Sequence, residues 1–536
     1  FLKTLTMLIL PYTLMAAAWL GLVYELRRDL MMLQQNSYFN KRYRNWLRES
    51  GDTTSGWRLA GFAVFFLALS RLAGARAGLL VMGIFGVVTM LRLCFAKYKK
   101  PLVWTARARR IYAVAALVCV AVAAVAMILF GGDTAEGRLF SVASAATACY
   151  CCSHAVIMAA NMLLRPVERR INRRYIEDAA DRLRSMPDLK IVGVTGSYGK
   201  TSTKHFMHRI LSEQYDTLMT PGSYNTTLGV VRTVRELLKP YNEVFIVEMG
   251  AKNPGDIREI CDLVHPQIGV VTAVGPQHLE SFGTLEAVQA TKFELVDALP
   301  ADGVAFVNDD FEYVASRAVD NVACERYTCR DAAGAVWKAE DINYGADGTR
   351  FRVLGPGGYK IELHTRLLGE ANISDLLAAV AVAHHLGVAD DKIRYAVGQI
   401  EPVEHRLSIK RTPGGITIVD DAYNSNPVGS RMAMEVLGGM KGGKRIVITP
   451  GMIELGEQQH ELNAELGRHV GLNADVAIIV GRYNRDALAE GVRASGNAAV
   501  KLHFADTFAE AQGLLASIAT AGDIVLYEND LPDTFK

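Results

Sequence analysis

Three apolar runs near the front of this 536-residue chain constrain its fold more than any other feature. Residues 5–24 are 20 consecutive residues without a charge, which as a helix rising 1.5 Å per residue reach about 30 Å, the thickness of a bilayer's hydrocarbon core. Residues 111–130 form a second such run and residues 140–164 a third. Two shorter stretches, 59–75 and 77–95, are interrupted by Arg71 and Arg92 and are expected to form a spanning hairpin. About five spans over residues 1–165 result. A secretory leader is not expected, because later apolar runs remain in the chain and no small-residue cleavage site stands out. The chain opens on Phe1, so it is expected to continue upstream.

Charge separates the front from the rear. The net charge of +2 is a sum of opposites: residues 1–175 hold 23 Lys and Arg against 7 Asp and Glu, or +16, and the remainder holds 35 against 49, or −14. With half the chain hydrophobic and 21% charged, disorder, a collagen-like repeat and a nucleic-acid-binding tail are excluded, and no nucleic-acid partner is expected. A basic, apolar front joined to an acidic rear reads as a membrane region followed by globular domains. The segment 25–58 carries Arg27, Arg28, Lys41, Arg42, Arg44, Arg48 and Arg58, the segment 96–110 is equally basic, and the loop 131–139 is nearly neutral. Positive-inside orientation then puts the N-terminus outside and everything after residue 165 in the cytoplasm. Should the hairpin not span, two crossings drop out together and the rear stays cytoplasmic. The basic loops serve orientation before any binding of anionic headgroups. Five of the eight cysteines sit in the apolar front, and Cys261, Cys324 and Cys329 form neither a zinc spacing nor a disulfide framework.

A basic stretch, 166–186, leads into the rear. There Leu189 to Thr195 reads as an apolar strand, followed by Gly196-Ser197-Tyr198-Gly199-Lys200-Thr201 and a helical stretch over 202–211. Strand, glycine-rich turn, lysine, hydroxyl and helix make a phosphate-cradling unit. Backbone N–H groups and the helix N-terminus face the anion, Lys200 meets terminal phosphates, and Thr201 can ligate magnesium. The strict spacing would place a small residue at Val194. Further strands over 244–247, 268–271 and 304–307 alternate with helices, giving an α/β phosphate-loop domain over 187–402. Residues 320–365 read as a small β insertion. Strands over 416–419, 445–448, 476–480 and 524–527 predict a Rossmann-like C-terminal domain over 403–536.

The wording of the loop, Val194-Thr-Gly-Ser-Tyr-Gly-Lys-Thr-Ser-Thr-Lys204, resembles the ATP loop of the Mur ligases, which build the peptide of peptidoglycan. Eight more segments resemble the family in order: 221–229, 247–256, 272–283, 291–294, 369–372, 404–406, 420–427 and 451–456. The likeness is nearest to the branch that adds D-alanyl-D-alanine. It implies a ligase that transfers the ATP γ-phosphate to a carboxylate, after which an amine attacks the acyl phosphate to give an amide. By resemblance, Thr195 to Ser202 cradle the nucleotide and Lys200 holds its β- and γ-phosphates. Thr201 binds one Mg²⁺, while Glu248, His278 and Lys292 serve a second. Lys292 is implied to be carbamylated, since an ammonium beside two cations would be repelled. Arg406 would reach the γ-phosphate on domain closure, and Asn372, Asp421, Tyr423 and Asn424 would line the nucleotide. Taken singly, Glu248 reads as a surface carboxylate, His278 as a polar loop residue, and Lys292 as an exposed helix lysine near Glu294.

Two departures bear on the substrate. Soluble relatives hold UDP with a domain where this chain has its apolar front, which leaves two expectations: a lipid-linked precursor or one handed over at the cytoplasmic face, or spans that only localise an enzyme working on soluble UDP-linked peptide. Near the end, where relatives carry a Lys-Gly-Ser-Arg-like run, this chain has Glu528, Asp530 and Asp533, expected to repel an incoming carboxylate. Ala371 and Asp375 also depart from the family's wording near Asn372. The expected protein is therefore a multi-pass membrane ligase joining a cell-wall precursor carboxylate to an amino-acid or dipeptide amine. A poly-γ-glutamate-synthase-like ligase and a non-catalytic, nucleotide-sensing scaffold are the alternatives.

Overall fold

The structure, a computed structural model, describes residues 2–70, 74–98, 100–330, 332–345, 348–403, 407–422 and 425–530. The chain divides into two compact units, one over residues 1–171 and the other over 172–530.

The first unit is helical: α1 (Leu2–Gln35), α2 (Asn40–Glu49), α3 (Gly56–Leu69), α4 (Gly74–Phe95), α5 (Ala106–Phe130), α6 (Ala135–Cys151) and the start of α7 (Ser153–Arg184). Among the described residues, α1 over Ile9–Gln35, α4 and α5 are long and apolar enough to cross a membrane. The run 140–164 is not one straight helix. It breaks at Cys152 into α6 and α7, bent by 80°, and counts at most as one further span. The two arms of the expected hairpin also separate, because α4 passes the length test whereas α3, with 14 residues, reaches only about 21 Å. Among the described residues three helices, or four if the bent pair counts as one, are long and apolar enough to cross, so the two arms of the hairpin do not stand or fall together. The basic stretch 166–186 is largely helix, carried by α7 with Pro166 inside it.

Small residues let α1 and α4 cross closely. A Cβ on Gly86 would strike the backbone of Ala17 and Ala18, and one on Gly21 would meet Gly86. Charged side chains pin the other elements. Arg58, 2% exposed, donates to Tyr150 O at 2.6 Å, Ser153 Oγ at 2.7 Å and both oxygens of Asp29 at 3.2 Å, and pairs with Glu25 at 3.0 Å. Ser153 donates to Asp29 in turn, so the residue after the break is bound into this network. Hydropathy carries no trace of that bend, because a polar contact from α1 and α3 holds it. Conversely, Leu117, Ile128, Leu129 and Phe130 on α5 stay exposed, an outward apolar band.

The second unit holds two sheets. The first has nine strands: β1 (Lys190–Thr195), β2 (Thr217–Met219), β3 (Val244–Glu248), β4 (Ile268–Val271), β5 (Val304–Asn308), β6 (Ala323–Thr328), β7 (Trp337–Gly345), β8 (Gly348–Leu354) and β9 (Lys360–Thr365). Their order is 2-3-1-4-5-6-7-8-9, parallel through β7 and antiparallel over β7–β9. Strands β1 and β3–β5 are almost wholly buried, as expected of a parallel sheet covered on both faces. Residues 320–365 are β-rich as expected, but their strands extend the main sheet instead of forming a separate insertion. The second sheet has six strands, β10 (Ser408–Arg411), β11 (Thr417–Asp421), β12 (Arg445–Thr449), β13 (Val476–Val480), β14 (Lys501–Ala505) and β15 (Ile524–Glu528), in the order 10-11-15-12-13-14 with only β10 antiparallel. Central β1 has β3 on one side and β4 on the other, so the chain reverses direction across the sheet there, where ligands of open α/β sheets bind.

Candidate active site

The turn after β1 runs into α8 (Lys200–Leu211). Two glycines make it possible. Gly199 has φ 77°, and a Cβ there would fall on the carboxylate of Asp375; Gly196, at φ 151°, would strike Thr272. The side chains of the loop mostly hold the loop itself. Ser197 Oγ and Gly275 exchange hydrogen bonds of 3.1 Å, the Tyr198 hydroxyl donates to Pro276 O at 3.2 Å, and Thr195 Oγ1 donates to Met249 O at 2.9 Å. Lys200 Nζ donates to Gly196 O at 2.7 Å and Ser197 O at 3.2 Å, over the mouth of the turn. Ser202 is buried at the start of α8.

Glu248 ends β3 beside this loop. It is 1% exposed, so the surface-carboxylate reading fails. Thr201 Oγ1 donates to its Oε2 at 3.1 Å, Lys204 Nζ meets the same oxygen at 3.0 Å, and Asn225 Nδ2 donates to Oε1 at 3.0 Å. Burial alone would push this carboxyl up, but Lys204 and then Lys200 outweigh it and hold it below the ordinary glutamate value. Lys204 and Asn225 had no assigned role in the sequence. Lys204 was legible: it follows Lys200 by four residues on one helix, so both face the same way. Asn225 is brought in by a loop, and its signal was its place in the segment 221–229 that resembles the family.

Lys292, on the helix Leu285–Asp297, is 2% exposed and makes no hydrogen bond or salt bridge among the described residues. Burial, and then the charge of Lys200, push its pKa well down. Glu294 does not pair with it; its carboxylate caps the helix Asp256–Val264 by accepting from Gly255 N at 2.7 Å and Arg258 N at 2.9 Å. His278, at φ 53°, meets Glu454 of the C-terminal sheet's domain through Nδ1. Burial lowers the His278 pKa despite the opposing pull of Glu454.

The remaining positions are mixed. Asn372 lies on the helix Glu370–His385, which packs on α8, and donates to Leu368 O at 2.8 Å. One turn on, Asp375 accepts from Thr203 Oγ1 at 3.1 Å, so this departure from the family's wording supports the loop. Asp421 ends β11 and accepts from Leu407 N at 3.2 Å. Arg406, Tyr423, Asn424 and Asp533 lie outside the described residues. Glu528 is not an exposed anion aimed at a ligand. It is fully buried, accepts from Ser425 Oγ at 2.5 Å and Ser430 Oγ at 2.7 Å, and is pushed up to about 8 by burial and by Asp421.

The donor set fits magnesium in part. Thr201 and Glu248 bring a hydroxyl and a carboxylate together, the hard oxygens that ion prefers. Among the described residues no three His, Cys, Asp or Glu converge, so a further ion here needs a donor of another kind.

Residues 194–383 match the Mur ligase middle domain and residues 405–527 the Mur ligase glutamate ligase domain. The UDP-N-acetylmuramoyl-tripeptide–D-alanyl-D-alanine ligase of Bacillus subtilis is 27% identical over 317 residues, 59% of this chain and 65% of its own length. The ligase of the same name from Mycobacterium bovis is 32% identical over 358 residues, 63% of this chain and 70% of its own. The chain thus spans about two thirds of the length of these relatives. The crystal structure of the MurF ligase from Thermotoga maritima in complex with ADP superposes with a TM-score of 0.58 at 25% identity, covering 67% of this chain and 80% of that one. With the loop, the acidic strand end and both sheets in place, the chain belongs to the Mur ligase family.

Proposed function

We propose that the second unit is an ATP-dependent ligase that forms an amide bond through an acyl phosphate, in the synthesis of a cell-wall precursor. The observation that carries this is the buried Glu248 held as an anion between Thr201, Lys204 and Asn225 at the mouth of the phosphate loop. The ADP of the Thermotoga relative supports an adenine nucleotide here. Lys200, freed from the loop carbonyls, binds the β- and γ-phosphates, and the loop N–H groups take up the remaining oxygens. Thr201 and Glu248 would hold Mg²⁺, which when bound offsets the charge gathering on the transferred group. The substrate carboxylate takes the γ-phosphoryl group and ADP leaves. The amine then attacks the acyl carbon, phosphate departs, and an amide remains. Lys292, buried and in contact with no carboxylate among the described residues, would take up CO₂ as a carbamate and, with His278, would hold a second Mg²⁺.

A carboxylate-bearing amine such as D-alanyl-D-alanine remains the first acceptor to test: of the expected acidic groups Glu528 is buried and presents no surface charge, while Asp530 is exposed. We also propose that the helical unit anchors the ligase in a membrane with its catalytic domains in the cytoplasm, and that the carboxylate substrate is lipid-linked or handed over at that face. Intact protein in nanodiscs, offered UDP-linked and lipid-linked tripeptide in turn, tests this. Use of the UDP-linked form alone defeats it. For the chemistry itself, Lys200→Ala should cut ATP-dependent phosphate release by some hundreds-fold, about 3–4 kcal/mol, while the protein stays folded. Near-normal turnover in that variant would defeat the phosphate-loop reading, and no turnover in the parent with any acceptor would leave the scaffold reading standing.

A further inference from the structure

His278 and Glu454 are both non-glycine residues held at positive φ, 53° and 63°, and they face each other. One follows β4 of the nine-stranded sheet and the other follows β12 of the six-stranded sheet. Such backbone is unfavourable for a residue with a side chain and persists where the surroundings impose it. Here it brings one Glu454 oxygen onto His278 Nδ1, while the other lies 3.5 Å from Lys252 Nζ, in the loop after β3. Glu454 therefore grips two middle-domain side chains from the C-terminal domain.

We infer that Glu454 is a positioning residue that prepares His278 for a divalent cation, and does so only while the two domains are closed. This rests on the ligase reading of the site. An ionised carboxylate can only accept, so the proton of a neutral imidazole is drawn to Nδ1 and the lone pair is left on Nε2. A histidine ligand oriented in this way by a carboxylate on its far nitrogen is a recurring metal-site arrangement, and loss of the carboxylate weakens metal binding by about 10–100-fold. Here the carboxylate comes from another domain. By reciprocity, an ion that binds better in the closed form favours closure to the same extent. Neither residue's neighbours in sequence disclose this pairing.

The test is a Mn²⁺ titration of the full-length protein with ADP present, read by the loss of the free-ion electron paramagnetic resonance signal. Glu454→Ala should weaken the binding of one Mn²⁺ by about 10–100-fold. Glu454→Gln, whose amide oxygen can still accept from Nδ1, should recover to within about threefold. In a His278→Ala background, Glu454→Ala should cause no further loss, which a purely structural contact would not predict. If Glu454→Ala binds Mn²⁺ as tightly as the parent or more tightly, the carboxylate is irrelevant to the ion or competes with it, and the inference is wrong. It is also wrong if Gln fails as Ala does. Should His278→Ala itself leave Mn²⁺ binding unchanged, the metal site of the ligase reading fails first, and the two failures are told apart.

Discussion

Two glutamates, Glu248 and Glu528, each end a parallel strand, one in each of the two sheets. Glu248 closes β3, one strand from the centre of the first sheet's active edge, and is 1% exposed; Glu528 closes β15 in the middle of the second sheet and is 0% exposed. Yet the first is held below the ordinary glutamate value and the second is pushed up to about 8. The difference lies in what surrounds them. Lys204, wholly buried, is in contact with Glu248 and Lys200 stands near, whereas Glu528 has two serine hydroxyls and the carboxylate of Asp421. Burial by itself makes a carboxyl a neutral acid; burial beside a lysine makes it a preformed anion. Only the second kind is ready to hold a cation, so the two sheets, alike in architecture, divide the work.

The most severe way to break this comparison is to make Glu248 resemble Glu528. Lys204→Ala leaves a buried carboxylate without its contacting cation and should cost about 3–5 kcal/mol of stability in chemical denaturation. The double variant Lys204→Met with Glu248→Gln should regain much of that, since the uncompensated charge is gone. A single variant as stable as the parent would show that Lys204 does not set the state of Glu248. Lys292 sharpens the same side of the comparison, being a buried lysine that no carboxylate contacts among the described residues. Lys292→Ala should lower phosphate release by about a hundredfold, or about 2.7 kcal/mol, with partial rescue by formate or acetate filling the anionic position. Full activity without rescue returns Lys292 to the role of a core lysine.

The mildest test acts on Glu528. Its folded pKa lies above the unfolded value near 4.3, so between that pH and about 8 the native state holds a proton the unfolded chain has released. That favours the native state at low pH and is lost as pH rises through the window. Glu528→Gln carries no such dependence. Relative to the parent it should gain stability from pH 5 to pH 8, by about 1–3 kcal/mol, read as a divergence of the two melting temperatures. Parallel pH profiles would mean that Glu528 is already ionised and that the contrast with Glu248 is false.

Much of the site could be read along the chain. Gly196, Gly199, Lys200 and Thr201 are contiguous, and a turn of that kind between a buried strand and a helix does not depend on the rest of the fold. The bland readings of Glu248 and Lys292 failed for one reason: exposure cannot be judged from a residue's own type, and both are covered by elements remote in sequence. Glu294, taken as a partner for Lys292, instead caps a helix from 36 and 39 residues away. The apolar front shows the same division, since its hydropathy located every long helix but not the 80° break at Cys152.

The sequence by itself determined the apolar helices, the alternation of strand and helix, the phosphate loop and the family. Each of these follows from a local period or a short contiguous motif. Only the tertiary structure decided which charges meet. Lys204 finds Glu248 across 44 positions because β1 and β3 are neighbours, Glu454 finds His278 across 176 because the ends of two sheets face each other, and burial beside Asp421 pushes the Glu528 carboxyl up. Strand order and domain closure set those distances, and electrostatic energy in a protein interior depends on distance and burial, neither of which is written in the order of residues.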